Sequence, residues 1–138
     1  MSVIEKLIRF HKFDLDEKRR HLRVFEEQEA RIQATIDAID REVQAEQAFS
    51  RREANFAPYY GGYSTRTKSQ LEELELELAN AHKAVEEARE TVIQAFEELK
   101  KFEIRKEQQK QNSDLESELR ERINLDEIAL TSHQRRDN

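Results

Sequence analysis

The sequence of 138 residues has no cysteine and no tryptophan, and it contains only two glycines and one proline. Without cysteine a chain has neither disulfides nor thiolate zinc sites, and thiol redox chemistry is excluded. Glycine-rich phosphate loops, nucleotide-binding sheets and short-stranded β folds need backbone turns that Gly61 and Gly62 alone cannot supply. These classes of protein are therefore excluded.

Charged residues dominate the composition, with 24 Lys or Arg and 30 Asp or Glu, whereas 36% of the residues are hydrophobic. So thin an apolar content does not fill the core of a compact domain of this length. The opening segment MSVIEKLIRFHKF mixes charged and apolar residues, so we expect neither a secretory signal nor direct membrane insertion. We expect a cytoplasmic protein, and its net charge of −6 argues against a nucleic-acid partner.

Apolar residues recur at heptad spacing in two long segments, a pattern typical of coiled-coil helices. Counted in alternating steps of three and four from residue 4 to residue 50, nine of fourteen positions are apolar. The same count from Leu71 to Phe102 gives ten positions, all apolar. The exceptions in the first segment are His11, Lys18, Glu29, Glu46 and Ser50.

All the glycine and proline lies in one segment between these patterns, NFAPYYGGYST. We therefore predict an all-α fold in which two long helices form an antiparallel coiled-coil hairpin with a C-terminal helical overhang. The whole chain, 1–138, is predicted to be a single elongated domain. Helix one is expected at about 2–55, the turn at about 56–65 and helix two at about 66–133.

Capping chemistry indicates where the two helices begin. Ser2 with Glu5 forms a capping box at the start of the first helix. Thr67, Ser69 or Ser64 could open the second, and the sequence leaves that choice open.

A turn centred near Gly61 fixes the register, because facing residues then have numbers adding to about 121. Large residues of one helix fall opposite small residues of the other in this register, which supports it. The expected neighbours are Leu22 with Leu99, Ile36 with Val85, Val43 with Leu78, and Phe25 with Ala95 and Phe96.

The heptad pattern stops at Arg105–Asp114, which reads RKEQQKQNSD and has no apolar side chain. Apolar residues return out of phase at Leu115, Leu119, Ile123, Leu125, Ile128 and Leu130. Since residue 2 pairs near residue 119 in the predicted register, about fifteen residues overhang without a helix partner. A helix with an apolar stripe and nothing to cover it is a candidate partner-binding element.

Catalysis, cofactors and metals are not expected in such a fold. Two paired helices offer no concave pocket from which water is excluded, so we predict that the chain is not an enzyme. The four histidines include no pair at His-x-x-x-His spacing, and the Glu17–His21 and His82–Glu86 spacings are those of ordinary exposed helix pairs.

Two clusters remain for which we keep two interpretations each. The basic cluster consists of Lys18, Arg19, Arg20 and Arg23, and it is either a salt-bridged surface or a docking site for an acidic partner. The tip aromatics are either a clasp over the helix ends or an exposed anchor for another protein. They are Phe56, Tyr59, Tyr60 and Tyr63.

The segments LIRFHKFDLDEKRRHL and LDEIALTSHQRR, joined through a short turn, resemble the flagellar type III export protein FliJ and its counterparts in virulence secretion systems, including the YscO proteins. The resemblance covers the whole chain. It implies a stalk-like coiled coil in the pore of a hexameric export ATPase. It also implies contacts with the cytoplasmic domain of the membrane export gate and with export chaperones. The location it implies is cytoplasmic, peripheral to the export apparatus at the inner membrane.

By this resemblance, partner-binding residues lie at both ends of the hairpin. The ATPase side would comprise Leu7, Phe10, Phe13, Lys18, Arg19, Arg20, Arg23, Leu125, Ile128 and Leu130. The gate or chaperone side would comprise the tip aromatics. The alternative is a generic coiled-coil chaperone or adaptor, such as a prefoldin-like holdase or a scaffold. Prefoldin subunits have β-hairpins between their helices, and nothing near this turn alternates with a period of two.

Overall fold

The computed structural model describes residues 1–53 and 57–137 and contains two α-helices in that part of the chain. Helix α1 spans Val3–Arg52, and helix α2 spans Ala57–Asp137. No strand occurs among the described residues. The prediction of an all-α fold with two long helices is confirmed.

Helix α1 begins at the predicted capping box. The amide of Ser2 donates to Glu5 Oε2 over 3.3 Å, and the amide of Glu5 donates to Ser2 Oγ over the same distance. Two amides that lack a partner within the helix are satisfied in this way. At the other end, the amide of Glu53 donates to the carbonyl of Phe49 over 2.9 Å, which closes the last turn.

Helix α2 begins at Ala57, earlier than the predicted start near residue 66. Pro58 is its second residue, where the missing amide costs no hydrogen bond because the first turn has no carbonyl to receive it. Gly61 and Gly62 continue the helix, and neither has a positive φ. Residues 57–65, which were predicted to form most of the turn, therefore lie in helix α2.

The predicted cap residues Ser64, Thr67 and Ser69 lie inside α2, as does the neighbouring Thr65. Thr65 donates to the carbonyl of Gly61 over 3.0 Å, and Thr67 donates to the carbonyl of Tyr63 over 2.8 Å. Both are bonds from a side chain to the backbone one turn earlier, which a helix interior permits. The predictions that Ser64, Thr67 or Ser69 caps the helix are wrong for this reason.

Contacts group the chain into two units, and the two helices are antiparallel in each of them. The first unit combines Met1–Phe13 with Phe96–Asn138, and the second is Asp14–Ala95. In the first, the His11 ring stacks on Phe102 with centroids 4.7 Å apart, and Lys106 Nζ lies 3.9 Å from Glu5 Oε1. The predicted antiparallel packing is confirmed, and the single elongated domain stays a prediction.

In the second unit, His82 Nδ1 of α2 lies 3.5 Å from Glu29 Oε2 of α1. Nearer the end of α1, Val43 lines a groove together with Thr67 and Leu71. Residue numbers therefore rise along α1 as they fall along α2, which is the antiparallel direction.

The seam between the helices is formed by the predicted heptad positions. All ten positions from Leu71 to Phe102 are buried or half-buried, and Val85, at 1% exposure, is the most deeply buried large side chain. In α1 the seam includes Ile8, Leu15, Ile36 and Ile39 as buried residues. Of the polar exceptions, His11, Lys18, Glu29 and Ser50 are half-buried, so they take seam positions despite their polarity.

The predicted register is wrong by about ten residues. The facing pairs Glu5 with Lys106 and Glu29 with His82 have numbers that add to about 111, not 121. Val43 accordingly lies with Thr67 and Leu71 and not with Leu78. The cause is that residues 57–65, predicted as the turn, belong to α2, so every facing pair moves.

The same shift applies to the large aromatic that was expected near Ala95 and Phe96. Phe25 lines a groove with Ala84, Ala88 and Thr91. Small residues of α2 still lie opposite this ring, so the idea of large residues facing small ones holds with different partners.

The C-terminal part of α2 without a helix partner is longer than predicted. Ser2 and Gln109 line one groove in the first unit, so the pairing with α1 ends near there. All described residues from 104 to 136 are exposed. Half of the apolar-free run Arg105–Asp114 therefore lies beyond the paired region, and its first five residues lie within it, where Lys106 contacts Glu5.

A double substitution tests whether the glycines are helical. A methyl group added at Gly61 or Gly62 meets no atom within 4 Å, so Gly61→Ala with Gly62→Ala should raise the free energy of unfolding by about 0.5 to 1 kcal/mol per site. Chemical denaturation followed by circular dichroism measures this. The reverse change at the exposed helical residue Ala79, Ala79→Gly, should lower stability by a similar amount. A turn at the glycines would make the double alanine variant less stable than the parent.

Crosslinking tests the register, since the chain has no cysteine of its own. The variant Glu29→Cys with His82→Cys should react efficiently with a short bifunctional thiol reagent, because these residues face each other. Glu29→Cys with Val92→Cys is the matched control, and it places the second thiol about 15 Å farther along α2. Mass spectrometry of the linked peptides measures the two yields. If facing residues had numbers adding to 121, the control variant would crosslink more efficiently than Glu29→Cys with His82→Cys.

Candidate protein-docking surfaces

An apolar face lies at the start of α1, outside the seam. Phe10 and Phe13 are each 60% exposed, Val3 is more exposed still, and Leu7 is at the border between half-buried and exposed. The seam takes Ile4, Ile8 and His11, so Phe10 and Phe13 point away from α2. Val3 and Leu7 border the seam and line a groove with Phe102 and Arg105 of α2. The N-terminal apolar face is our name for Val3, Leu7, Phe10 and Phe13, of which the last three are predicted ATPase-side residues.

Ring stacking fixes the helix pair beneath this face. His11 stacks on Phe102 of α2, and the Phe10 ring meets the His11 ring edge-on with centroids 5.3 Å apart. Arg105 also lies over the Phe102 ring, with its Cζ 5.5 Å from the ring centroid. The polar seam position at His11 is thus filled by aromatic packing, which holds Phe10 in a defined orientation.

The pKa of Glu98, whose carboxylate lies near this stack, is lowered. Lys101 Nζ donates to Glu98 Oε1 over 2.9 Å, and this hydrogen bond is the main reason that the pKa of Glu98 lies below its ordinary value of 4.5. The positive charge of Lys101 acts in the same direction, with smaller effects from His11 and Arg105. Because the folded pKa is lowered, this contribution to stability is present above pH 4.5 and is lost as the pH falls through the lowered pKa.

The basic cluster is held in ion pairs with acids one turn earlier on α1. Arg20 pairs with Glu17 at 3.0 Å, and Lys18 pairs with Asp14 at 3.6 Å. Arg19 lies 3.9 Å from an Asp16 carboxylate oxygen. These contacts agree with the interpretation of a salt-bridged surface. Exposed pairs of this kind are weak, about 0.3–0.5 kcal/mol each, so they exchange readily for a partner's carboxylates.

The fourth member of the basic cluster differs from the others. Arg23 is exposed and forms no ion pair with the described residues. It is the cluster's most available cation, because an incoming carboxylate displaces no internal partner there.

A groove between the helices lies beside this cluster in the second unit. It has a volume of about 220 Å³ and is lined by Lys18, His21 and Phe25 from α1 and by Ala84, Ala88 and Thr91 from α2. Alanines opposite Phe25 leave the ring 37% exposed. The groove is open and shallow, so it suits a side chain of a partner better than a substrate.

The tip aromatics can be followed only in part. Phe56 lies outside the described residues, and the side chains of Tyr59 and Tyr60 lie outside them too. Tyr63 is half-buried in the second turn of α2. The role predicted for the four residues stays a prediction.

A second groove lies near Tyr63 and was not predicted. Its volume is about 490 Å³, and its lining combines Val43, Thr67 and Leu71 with the charged residues Lys68, Glu72 and Glu75. Counting the heptad backward from Leu71 reaches Thr67 and Ser64, two small polar residues at seam positions. The heptad spacing therefore indicates these two seam positions. They were not predicted because α2 was expected to begin near residue 66.

The C-terminal residues predicted to bind the ATPase are exposed and lie on more than one face. Leu125, Ile128 and Leu130 are each more than 60% exposed. Leu125 and Ile128 are three apart and adjacent on the helix surface, whereas Leu130 points to another side. The structure therefore does not bring these three together in one patch.

One contact across the seam is not visible from the spacing of histidines in the sequence. His82 faces Glu29 across the seam at 3.5 Å and lies 3.9 Å from Glu86 on its own helix. Only the second spacing is visible from the sequence. Glu29 Oε2 is buried and has no hydrogen-bond partner among the described residues, since 3.5 Å is long for such a bond.

Neither a metal site nor a membrane span is found in the described part of the chain. No group of three or more His, Asp or Glu side chains there is placed to hold a metal ion. No stretch of the two helices, over the same residues, combines the length and apolar character needed to cross a bilayer.

The fold and these surfaces define a two-helix antiparallel coiled-coil protein with exposed apolar and charged faces suited to protein partners. The family model described as "Flagellar FliJ protein" matches residues 1–138, and the chain belongs to this family. Comparison with curated proteins gives no match, and comparison with solved structures gives none either. The predicted resemblance is confirmed over the full sequence.

Membership in the family gives the general role. The chain is a component of the flagellar export apparatus, with a role in flagellum biogenesis and protein export. Its partners are proteins of that apparatus, and the family is a structural and export component and not an enzyme family.

The polar seam residue Glu29 gives a stability prediction. Glu29→Leu should raise the free energy of unfolding by about 1 kcal/mol, because it removes a buried oxygen without a hydrogen bond and adds apolar area at a seam position. Urea denaturation measures the change. Glu26→Leu, an exposed position on the same helix, is the control and should give no gain. A loss of stability in Glu29→Leu would mean that the contact with His82 is worth more than the burial.

Proposed function

We propose that this chain is a stalk-like coiled coil that binds the hexameric flagellar export ATPase at one end and the export gate at the other. In this role it couples ATP hydrolysis and chaperone handover to export. The match to the FliJ family across residues 1–138 is the observation that supports this most. We place the protein in the cytoplasm, peripherally associated with the export apparatus at the inner membrane.

The ATPase contact is assigned to the N-terminal apolar face. Two phenylalanine rings exposed to 60% are costly in water, and burial of each one contributes roughly 1.5–3 kcal/mol to binding. Phe10 is also oriented by its contact with His11, so little side-chain freedom is lost when a partner covers it. Large rings of this kind are the usual anchors of protein interfaces.

The basic cluster is assigned a role in association and orientation. Three of its four cations already pair with acids of α1, so a partner's carboxylates must replace existing contacts. The net gain in affinity from such an exchange is small, whereas attraction at a distance still speeds the encounter. Arg23 gains the most on binding because it has no pair to break among the described residues.

The polar part of α2 supports a contact that can be exchanged between ring subunits. Arg105–Asp114 has no apolar side chain, and its residues are exposed. A helix that meets several equivalent subunits in turn needs contacts that form and break easily, since a tight apolar match to one subunit would hold it there. This polar surface meets that requirement.

The gate or chaperone contact is assigned to the other end of the helix pair, with Phe56, Tyr59, Tyr60 and Tyr63 as its anchors. The groove floored by Val43, Thr67 and Leu71 supports this, because it offers apolar surface one turn beyond Tyr63. Its lining includes two glutamates, Glu72 and Glu75, and one lysine, Lys68, so an apolar segment with a net positive charge, from the gate or from a chaperone, would suit it.

ATP hydrolysis by the purified export ATPase of the same organism tests the proposal. The chain should raise the rate, and Phe10→Ser with Phe13→Ser should abolish the increase by weakening binding about a hundredfold or more. Reversal of charge at Arg19, Arg20 and Arg23 to Glu should reduce the increase most at low salt. The assay compares rates over a titration of each variant.

The matched control is Leu76→Ser with Ile93→Ser, which removes two apolar side chains of similar exposure outside the proposed contact. It should stimulate hydrolysis as the parent does. Circular dichroism checks that every variant remains helical. No stimulation by the parent chain would remove the ATPase role and favour a holdase or scaffold. Full stimulation by the phenylalanine variant would remove the N-terminal apolar face from the contact.

A further inference from the structure

A single apolar face on the unpaired part of α2 is not used by the proposed contacts. Leu115, Leu119 and Ile123 follow one another at steps of four residues, so they lie side by side along the helix surface. Each is more than half exposed, at 58%, 55% and 56%. The described residues from 104 to 136 are all exposed, so no part of the described chain covers this face.

Four charged residues border the same face in a regular order. Glu116 and Arg120 lie along one edge, and Glu118 and Arg122 lie along the other. Both pairs have the spacing of an ion pair within a helix, yet none of the four forms an ion pair with the described residues. Their charges are therefore available to a partner.

We propose that a second copy of this chain covers this face, with the two α2 helices antiparallel and related by a two-fold axis at Leu119. Facing residues then have numbers that add to about 238. Leu119 meets Leu119 of the second copy, and Leu115 lies level with its Ile123. Three apolar layers result, because the Leu115–Ile123 layer occurs twice.

Charge complementarity selects this arrangement. In an antiparallel pair the residues on one edge face the same edge of the second copy, so Glu116 faces its Arg120 and Glu118 faces its Arg122. The symmetry makes each of these contacts twice. A parallel pair would set Glu116 beside Glu118 and Arg120 beside Arg122, which places like charges together at both ends of the face.

The interface is small, so the dimer is weak and depends on concentration. Three apolar layers and four ion pairs place it at the low end of specific interfaces. Leu125 and Ile128 lie on the opposite side of the helix and take no part in it. The inference does not rest on the proposed function, because it concerns the chain alone.

Two variants with complementary charges test the inference. Glu116→Arg with Glu118→Arg gives a chain with four positive residues along the face, and Arg120→Glu with Arg122→Glu gives a chain with four negative ones. Each variant alone should dimerise with a Kd at least about tenfold above that of the parent. An equimolar mixture should regain the dimer, because every facing pair is then of opposite charge. Sedimentation velocity over about a hundredfold range of concentration measures the masses.

Two further variants separate this face from others. Leu119→Asp should remove the dimer, since it places two carboxylates together at the two-fold axis. Leu125→Ser with Ile128→Ser should leave it unchanged. Circular dichroism must show that all variants remain helical. A parent chain that stays at the mass of one copy throughout would overturn the inference and leave the face to a different protein. The inference would also be overturned if the parent chain dimerises but the equimolar mixture of the two charge variants does not.

Discussion

The seam between α1 and α2 is the interaction on which the other features of this molecule depend. Its buried residues, such as Val85, Ala95 and Leu99 on α2, bring the helices together in each unit. Most described side chains outside the seam are exposed and can meet the solvent or a partner. The exposure of Phe10 and Phe13 therefore follows from the positions that the seam takes, since Ile8 and His11 occupy the neighbouring inward positions.

The heptad pattern predicted which residues form this seam, and it could not predict how far one helix slides along the other. A shift by ten or eleven residues again places apolar positions opposite apolar positions, because the pattern repeats every seven residues with an intermediate step of three or four. Only the position of the reversal separates such registers. Glycine was taken as its marker, but Gly61 and Gly62 lie inside α2, and the proline that precedes them is compatible with a first helical turn.

The candidate docking residues were predictable where local spacing decides the outcome. The pairing of Arg20 with Glu17 and of Lys18 with Asp14 follows from their separation by three and four residues. The contact of His82 with Glu29 was not predictable, because it joins residues far apart in sequence and requires the correct register. The groove near Thr67 was missed for the same reason, since it lies in a part of α2 that was expected to be a turn.

The unpaired part of α2 remains helical without a seam because propagation of an existing helix is inexpensive, whereas nucleation of a new one is costly. The paired region supplies the nucleus. This leaves an exposed helix with two different apolar sides, one at Leu115, Leu119 and Ile123 and the other at Leu125 and Ile128. A stronger apolar surface on either side would fix the helix to one partner. Weak contacts bordered by charges allow release, which a component that meets several proteins of one apparatus requires.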